Sequence, residues 1–169
     1  MKQNLLFNQL KEREYIMALV VEAAQETDIP DLFALLQQSS LPIDGIRDHL
    51  STVLLAREDG NIVGSAAIEL YGSVALLRSV AVVAPKRDQG LGQRLTRAAL
   101  ALAQARGITD LYLLTETAQH YFPRFGFHAI SRQEVAPAIH HSVEWTSACP
   151  ETAQAMLLMF AKANARGLP

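Results

Sequence analysis

Apolar residues recur along the chain in short blocks, separated by turns rich in Gly, Pro and Asp. The first block, ALVVEAA at residues 18–24, has the apolar and β-branched character of a strand. The segment that follows places three leucines on one face of a helix with Thr27 or Asp28 as its N-cap. Pro and Gly interrupt residues 40–50, which predicts a loop with a short helix.

Three more apolar blocks follow, and turn residues join them. Asp59-Gly60 is a strong hairpin signal, and Gly72-Ser73 predicts a second turn. The three blocks therefore form an antiparallel meander. The predicted strands cover residues 52–58, 61–71 and 74–83.

A helix and another strand come after the meander. Apolar residues repeat at helical spacing after Gly92, and Gly107 stands where a helix commonly ends. The buried-looking strand at residues 108–115 then completes a parallel βαβ unit. A short helix and an edge strand follow around Gly126, and residues 151–164 predict a closing helix.

Composition indicates an ordinary globular protein. The chain has 169 residues, of which half are hydrophobic, and this suits one domain at residues 17–169 after an extension at residues 1–16. A net charge of −2 and a pI near 6.2 argue against a nucleic-acid partner. No apolar stretch reaches the length of a membrane span. A single cysteine, Cys149, fits a reducing cytoplasm.

The stretch RDQGLGQRL, from Arg87 to Leu95, carries the candidate chemistry. Two glycines at a helix start leave unpaired N–H groups open to an anion, which is how many proteins bind phosphate. A Walker loop would need Lys-Ser/Thr after the second glycine, and a dinucleotide fingerprint would need Gly where Leu95 stands. The pattern Arg/Gln-x-x-Gly-x-Gly/Ala matches at Arg87, Gly90 and Gly92.

With the preceding meander, this pattern resembles the GNAT superfamily of N-acetyltransferases. The resemblance covers about Ala18 to Ile130 and includes LLRSVAVVAPKRDQGLGQRLTRAAL, the strand LYLLT and the Gly-Phe of FPRFGF. It implies the GNAT fold, an α+β (α/β) architecture with a mixed six- to seven-stranded sheet, the antiparallel meander and a central βαβ unit.

The resemblance also implies acetyl-CoA as the cosubstrate. Backbone N–H groups of the motif would hold the pyrophosphate, and the end of the preceding strand would pair with the pantetheine arm. The amide of Val82 would lie near the thioester carbonyl as an oxyanion donor. Asp88 is irregular beside a diphosphate, so we expect it to face solvent or to cap the helix. The implied cofactor-binding residues are Val80, Ala81, Val82, Arg87, Asp88, Gln89, Gly90, Leu91 and Gly92.

Three charged residues are candidates for the acceptor side. Many relatives carry a Glu where this chain has Leu76, and the turn at residues 72–73 places Glu69 directly across from it. Glu69 is then either the base for the acceptor ammonium or a surface carboxylate. Arg78 shares that face, where it either pairs with Glu69 or grips the acid group of a substrate. Arg47 is a second candidate for that grip, or a solvated surface charge.

The proton donor for the leaving thiolate is open as well. Many relatives use a Tyr four residues before the Gly of Gly-Phe, and this slot holds Phe122. Tyr121 is adjacent but rotated by about 100° on a helix, so either Tyr121 or water supplies the proton, and in the second case Tyr121 is a packing residue. Thr115, with Thr117, follows the parallel strand, where ligands of open sheets bind, so it is a candidate substrate contact.

The acceptor is predicted from two narrower resemblances. LYLLTETAQHYFPRFGF resembles the acetyltransferase domain of N-acetylglutamate synthases. SLPIDGI, AIELYGSVALLRSVAV and APAIHHSVEWTSACPETAQAM resemble the arsenic-resistance N-acetyltransferases. Both imply an enzyme that acetylates the amine of a small acidic amino acid, or of a glutamate-like arsenic or phosphorus compound, in resistance or detoxification.

Other functions stay open. A CoA-binding sensor or interaction module could share this fold, and so could a peptide or protein N-acetyltransferase. Direct arsenic capture needs clustered thiolates, and Cys149 is alone, so it is either an activated thiol at a helix start or a packing residue. We predict no metal. The apolar segment at residues 155–160 either closes the core or forms a homodimer surface.

Overall fold

The computed structural model describes residues 19–161. The predicted extension at residues 1–16 and the domain start at Met17 lie outside the described residues. The strands are β1 (Leu19–Ala23), β2 (Val53–Glu58), β3 (Asn61–Tyr71), β4 (Val74–Val82), β5 (Asp110–Thr115), β6 (His128–Ile130) and β7 (Gln154–Met159), and the α-helices are α1 (Ile29–Gln38) and α2 (Leu91–Ala105).

The described residues form one seven-stranded mixed sheet in the order β1-β2-β3-β4-β5-β7-β6. The predicted meander is confirmed, because β2, β3 and β4 pair antiparallel. The βαβ unit is confirmed too, since β5 runs parallel to β4 and α2 connects them. The strand after Gly126 lies at the sheet edge, as predicted. The architecture is therefore α+β with an open sheet.

The two helices cover opposite faces of the sheet. Neighbouring residues of a strand point to opposite faces, and Leu55 and Ala56 of β2 show the division. Leu55 packs in the cluster that contains Leu36 of α1, whereas Ala56 packs with Leu95 of α2. Burial on both faces explains why the central strands are almost continuously apolar.

The predicted closing helix at residues 151–164 is wrong. Residues 154–159 form β7, which lies between β5 and β6 and pairs antiparallel with both; residues 162–164 lie outside the described part. An apolar run of this length suits a buried strand as well as a helix, and pairing on two edges decides between them. Met156 is buried inside the sheet, whereas Met159 is 62% exposed.

A β-bulge in β4 shapes the centre of the sheet. Ser65 of β3 lies opposite Ala81, but two residues later Ala67 lies opposite Arg78, so β4 contains one extra residue. Ser79 takes up this residue with a φ of 55°, and its carbonyl accepts a 2.7 Å hydrogen bond from Ser65 Oγ. Bulges of this kind bend a strand and often lie beside functional sites.

Candidate active site

A cavity of about 740 Å³ lies where β4 and β5 separate. Pairing between these parallel strands is limited to residues 74–76 and 110–112, so the later part of each strand has a free edge toward the other. Residues 77–82 of β4, residues 113–115 of β5 and the start of α2 line this cleft. Ligands of open α/β sheets bind at such carboxyl ends of parallel strands.

The helix start at one end of the cleft is bare. Gly90 is the N-cap of α2 with a φ of 79°, and nothing lies within 4 Å of the place where its Cβ would be. No side chain caps the helix, so the first-turn N–H groups have no side-chain acceptor. A 15-residue helix also presents the positive end of its dipole here. This is the geometry of an anion site.

The cofactor-binding residues predicted around this helix start divide into two groups. Arg87, Asp88, Gly90 and Gly92 line the cleft, together with residues 80–82. Arg87 Nε donates to the carbonyl of Val82 at 3.0 Å. Asp88 is exposed and leaves α2 uncapped. Two residues lie outside the lining: Gln89, which donates to the Pro85 carbonyl, and Leu91, which is buried in the core.

Tyr121 packs against the bare first turn of α2. A Cβ on Gly92 would lie 3.1 Å from the Tyr121 hydroxyl oxygen. That oxygen is buried and has no hydrogen-bond partner among residues 19–161. Ring contacts with Phe122 and Phe125 hold the side chain. A buried donor without a partner beside unpaired N–H groups suits a ligand oxygen, so these residues fit a diphosphate-bearing molecule.

The middle of β4 carries a buried ion-pair cluster. Arg78 has a fully buried side chain, and its Nη1 donates to Glu69 Oε1 at 2.5 Å. Its Nε lies 3.0 Å from Glu144 Oε1, and its Nη2 donates to the Pro42 carbonyl. Each guanidinium nitrogen therefore has a protein acceptor. A cation this deeply buried needs such partners to offset its desolvation.

Glu69 lies directly opposite Leu76, as predicted, but it does not line the cleft. Only 1% of it is exposed, and Tyr71 donates to its Oε2 at 2.6 Å. Burial raises the pKa of Glu69, but hydrogen bonds from Ser142, Tyr71 and Arg78 outweigh burial and bring the pKa below its ordinary value. Glu69 is thus a buried, ionised partner of Arg78.

Glu144 is the charged residue that sequence reasoning missed. It begins a π-helical turn (Glu144–Ala148), is 4% exposed and lines the cleft. Cys149 Sγ donates to its Oε2 at 3.8 Å. Burial raises the pKa of Glu144 to about 7, although the Arg78 charge lowers it. No local pattern marks Glu144, because its place depends on a distant turn that packs against β4.

The other predicted residues lie as follows. Thr115 lines the cleft, and its Oγ1 accepts the N–H of Ala118 at 2.9 Å. Arg47 is outside the lining, where its 63% exposed side chain lies 3.8 Å from Glu26, as a surface charge would. Burial and the Glu144 charge raise the pKa of Cys149 to about 12, so the interpretation as an activated thiol is wrong.

Two further properties concern the described residues as a whole. No group of three His, Cys, Asp or Glu residues suited to a metal ion occurs within residues 19–161. No helix in the same range is long and apolar enough to cross a bilayer.

Comparisons with known proteins agree with this architecture. The model of the acetyltransferase (GNAT) family matches residues 13–127. The amino-acid acetyltransferase of Neisseria meningitidis is 28% identical over 127 residues, covering 68% of this chain and 28% of that enzyme. N-acetylglutamate synthase from Neisseria gonorrhoeae, solved with coenzyme A and N-acetyl-glutamate, matches with a TM-score of 0.73 at 21% identity, over 85% of this chain and 35% of that chain.

A smaller structure is similar over its whole length. A ribosomal-protein alanine N-acetyltransferase from Escherichia coli matches with a TM-score of 0.68 at 18% identity, over 89% of this chain and 99% of that chain. At these identities the structural likenesses show a shared fold. This chain spans about a third or less of the two Neisseria enzymes.

The sheet order defines an open-sheet α+β protein. The separated parallel strands and the bare helix start form a cleft that fits a phosphate-bearing ligand. The chain belongs to the acetyltransferase (GNAT) family, whose cosubstrate is acetyl-CoA. The resemblance to this family seen in the sequence is confirmed. The resemblance to arsenic-resistance enzymes stays a prediction.

Proposed function

We propose that this chain is an acetyl-CoA-dependent N-acetyltransferase for the amine of a small acidic amino acid. The observation that carries the proposal is a single cleft joining an anion-binding helix start to a buried carboxylate, with a free strand edge between them. When bound, acetyl-CoA supplies an activated acetyl group. The chain's own residues hold it, exclude water and prepare the amine.

The helix start is the proposed site of the diphosphate. Main-chain N–H groups at residues 87–92 would bind the phosphate oxygens, and the free edge of β4 at residues 80–82 would pair with the amide groups of the pantetheine arm. Along β4, Arg78 precedes Val82 by four residues, roughly 13 Å of extended chain. The reacting end of the cosubstrate would therefore lie toward the buried ion-pair cluster.

Two predicted catalytic roles change when their positions are taken into account. The Tyr121 hydroxyl faces Gly92, at the diphosphate end, which favours a hydrogen bond to the cosubstrate over proton delivery to the thiolate. Glu69 lies outside the cleft lining and is paired with Arg78, which favours a positioning role over direct proton removal. Saturation of Arg78 by protein acceptors likewise favours the structural ion pair over a grip on substrate.

The acidic acceptor is supported by relatives and by sequence. One relative is an amino-acid acetyltransferase, and one similar structure contains N-acetyl-glutamate. The motifs SLPIDGI and APAIHHSVEWTSACPETAQAM extend the proposal to glutamate-like arsenic and phosphorus compounds. Glutamate and these analogues share one backbone and differ in the distal acid group.

A thiol-release assay with acetyl-CoA and a panel of amines tests this function. The acidic group contains L-glutamate, phosphinothricin and arsinothricin, and the neutral controls are L-glutamine and a peptide with N-terminal alanine. We expect at least one acidic amino acid to exceed both controls by tenfold or more in kcat/KM, with the N-acetylated product seen by mass spectrometry. Preference for the peptide would indicate a protein N-acetyltransferase, and binding of coenzyme A without turnover would indicate a sensor module. Either result contradicts the proposal.

A further inference from the structure

Two buried carboxylates lie within reach of the Arg78 guanidinium, Glu144 in the cleft lining and Glu69 outside it, and they are not equivalent. Glu69 accepts hydrogen bonds from Arg78 Nη1 and Tyr71, and His49 Nε2 lies 3.8 Å from it. Glu144 Oε1 lies 3.0 Å from Arg78 Nε, but it shares that N–H with Ser79 Oγ, to which Nε donates at 3.3 Å. Arg78 thus makes its shorter ion pair with Glu69, so it stabilises the negative charge of Glu69 more than that of Glu144.

Glu144 has weaker support for its negative charge. Besides Arg78, the side chain that contacts the Glu144 carboxylate among residues 19–161 is Cys149, whose thiol donates at 3.8 Å, and a thiol is a weak donor. The charged and titratable groups that face it are Arg78 of β4, Glu69 of β3 and Cys149 of its own turn. With both carboxylates ionised, the cluster carries one surplus negative charge in a buried place. Glu144 is the group that takes up a proton most readily.

Access to the cleft separates the two carboxylates as well. Glu144 and Cys149 are part of the cleft lining, whereas Glu69 is not. A group that removes a proton from a bound amine has to come within hydrogen-bond distance of it. Glu69 lacks this access, because Arg78 and Tyr71 occupy its oxygens.

We propose that Glu144 is the general base that removes a proton from the acceptor ammonium, and that Arg78 and Glu69 are positioning residues that hold it. This assignment rests on the proposed function. A pKa near 7 matches such a base to neutral pH, where it is part ionised and accepts a proton. The surplus negative charge also attracts an ammonium group to this end of the cleft.

The proton balance is complete without a further reactant. The Glu144 carboxylate takes one proton from the ammonium, which leaves a neutral amine and a carboxylic acid. The amine nitrogen then attacks the thioester carbonyl carbon, so that a C–N bond forms and the C–S bond breaks. The second proton of the nitrogen goes to the leaving thiolate, and Glu144 returns its proton to solvent.

Glu144→Gln and Glu69→Gln are matched variants, since each neutralises one carboxylate beside Arg78 at constant size. The measurement is the pH profile of kcat/KM with L-glutamate and acetyl-CoA, from pH 5 to 9. The unmodified chain should show an acid limb with a midpoint near 7. Glu144→Gln should lower kcat/KM by about a hundredfold and remove that limb. Glu144→Asp should keep the limb and recover part of the rate.

Glu69→Gln should move the limb to lower pH. Removing the Glu69 charge releases Arg78 to Glu144 and deletes a repulsion that raises the pKa of Glu144. A purely structural role for Glu69 would lower the rate without moving the limb. Carboxyl ¹³C NMR of the protein without acetyl-CoA gives a readout independent of turnover: one Glu signal should titrate near pH 7, and it should be missing in Glu144→Gln.

The outcomes separate this inference from the proposed function. Calorimetry should show the same coenzyme A affinity, within twofold, in both Gln variants, which also confirms that they fold. If the unmodified chain acetylates L-glutamate and Glu144→Gln keeps its rate and its limb, the base assignment is wrong while the function stands. If Glu69→Gln alone abolishes the limb, Glu69 is the base. If the unmodified chain binds coenzyme A but acetylates no amine, both proposals fail.

Discussion

Tyr121 carries a buried hydroxyl that lowers the stability of the protein and that a bound cosubstrate would satisfy. Its hydroxyl is buried against the first turn of α2 without a hydrogen-bond partner among the described residues. An unsatisfied buried hydroxyl costs about 1–3 kcal/mol. A phosphate or amide oxygen of the cosubstrate at the helix start would satisfy it. Tyr121 lies one residue before the position where many family members have a tyrosine. Its surroundings indicate a role in binding the cosubstrate.

Without coenzyme A, Tyr121→Phe should raise the free energy of unfolding by about 1 kcal/mol, because it removes the unsatisfied hydroxyl. The same change should weaken coenzyme A binding by roughly fivefold, the value of one hydrogen bond. Tyr71→Phe is the matched control. It removes a donor to the buried Glu69 carboxylate, so it should destabilise the protein by about 2 kcal/mol and leave coenzyme A affinity unchanged. Urea unfolding and calorimetry measure both. Equal stability changes in the two variants would contradict this account of Tyr121.

The residue scale also shows what the sequence reveals about the site. The register of one hairpin follows from a two-residue turn, so Glu69 was correctly predicted to lie opposite Leu76. Strand alternation likewise placed Arg78 near Glu69. Glu144 has no such signal. Its contact with Arg78 joins residues far apart in the chain, through a turn whose shape no periodicity encodes.

At the scale of elements, local signals predicted the central part of the fold well. The hairpin turns, α2 and β5 each follow from residues close together in the sequence: turn residues, bounding glycines and a continuous apolar run. α2 and β5 line the cleft together with β4, so the position of the cleft could be predicted. β7 is different, because its residues have helical propensity as well as apolar character. Two strand edges, of β5 and β6, provide hydrogen bonds that override that propensity. The bulge at Ser79, which shapes the cleft, was equally invisible in the alternation of β4.

At the scale of the whole molecule, the buried carboxylates couple stability to pH in opposite directions. Glu144 has a folded pKa near 7, above its ordinary 4.5, so its contribution is present below pH 4.5 and lost as pH rises through 7. The pKa of Glu69 is lowered, so its contribution is present above 4.5 and lost as pH falls further. Stability should therefore be highest on the acid side of neutrality.

We expect the free energy of unfolding to fall by roughly 2 kcal/mol between pH 5 and pH 8, because the folded protein then ionises Glu144. Glu144→Gln should remove most of this fall, whereas Glu151→Gln, at an exposed position, should keep it. Urea titrations at several pH values give the slope directly. A slope that is the same in Glu144→Gln as in the unmodified chain would show that another group is responsible.

The central claim is that the bare start of α2 binds the diphosphate of coenzyme A, and calorimetric titration of coenzyme A into the chain tests it most directly. We expect saturable binding of one coenzyme A per chain. Gly92→Val would place atoms between the first turn and Tyr121 and should weaken binding at least tenfold, about 1.4 kcal/mol. Ala101→Val, at an exposed position of the same helix, should change the affinity by less than twofold. Absence of saturable heat in the unmodified chain, or equal affinities in the two valine variants, would contradict the account.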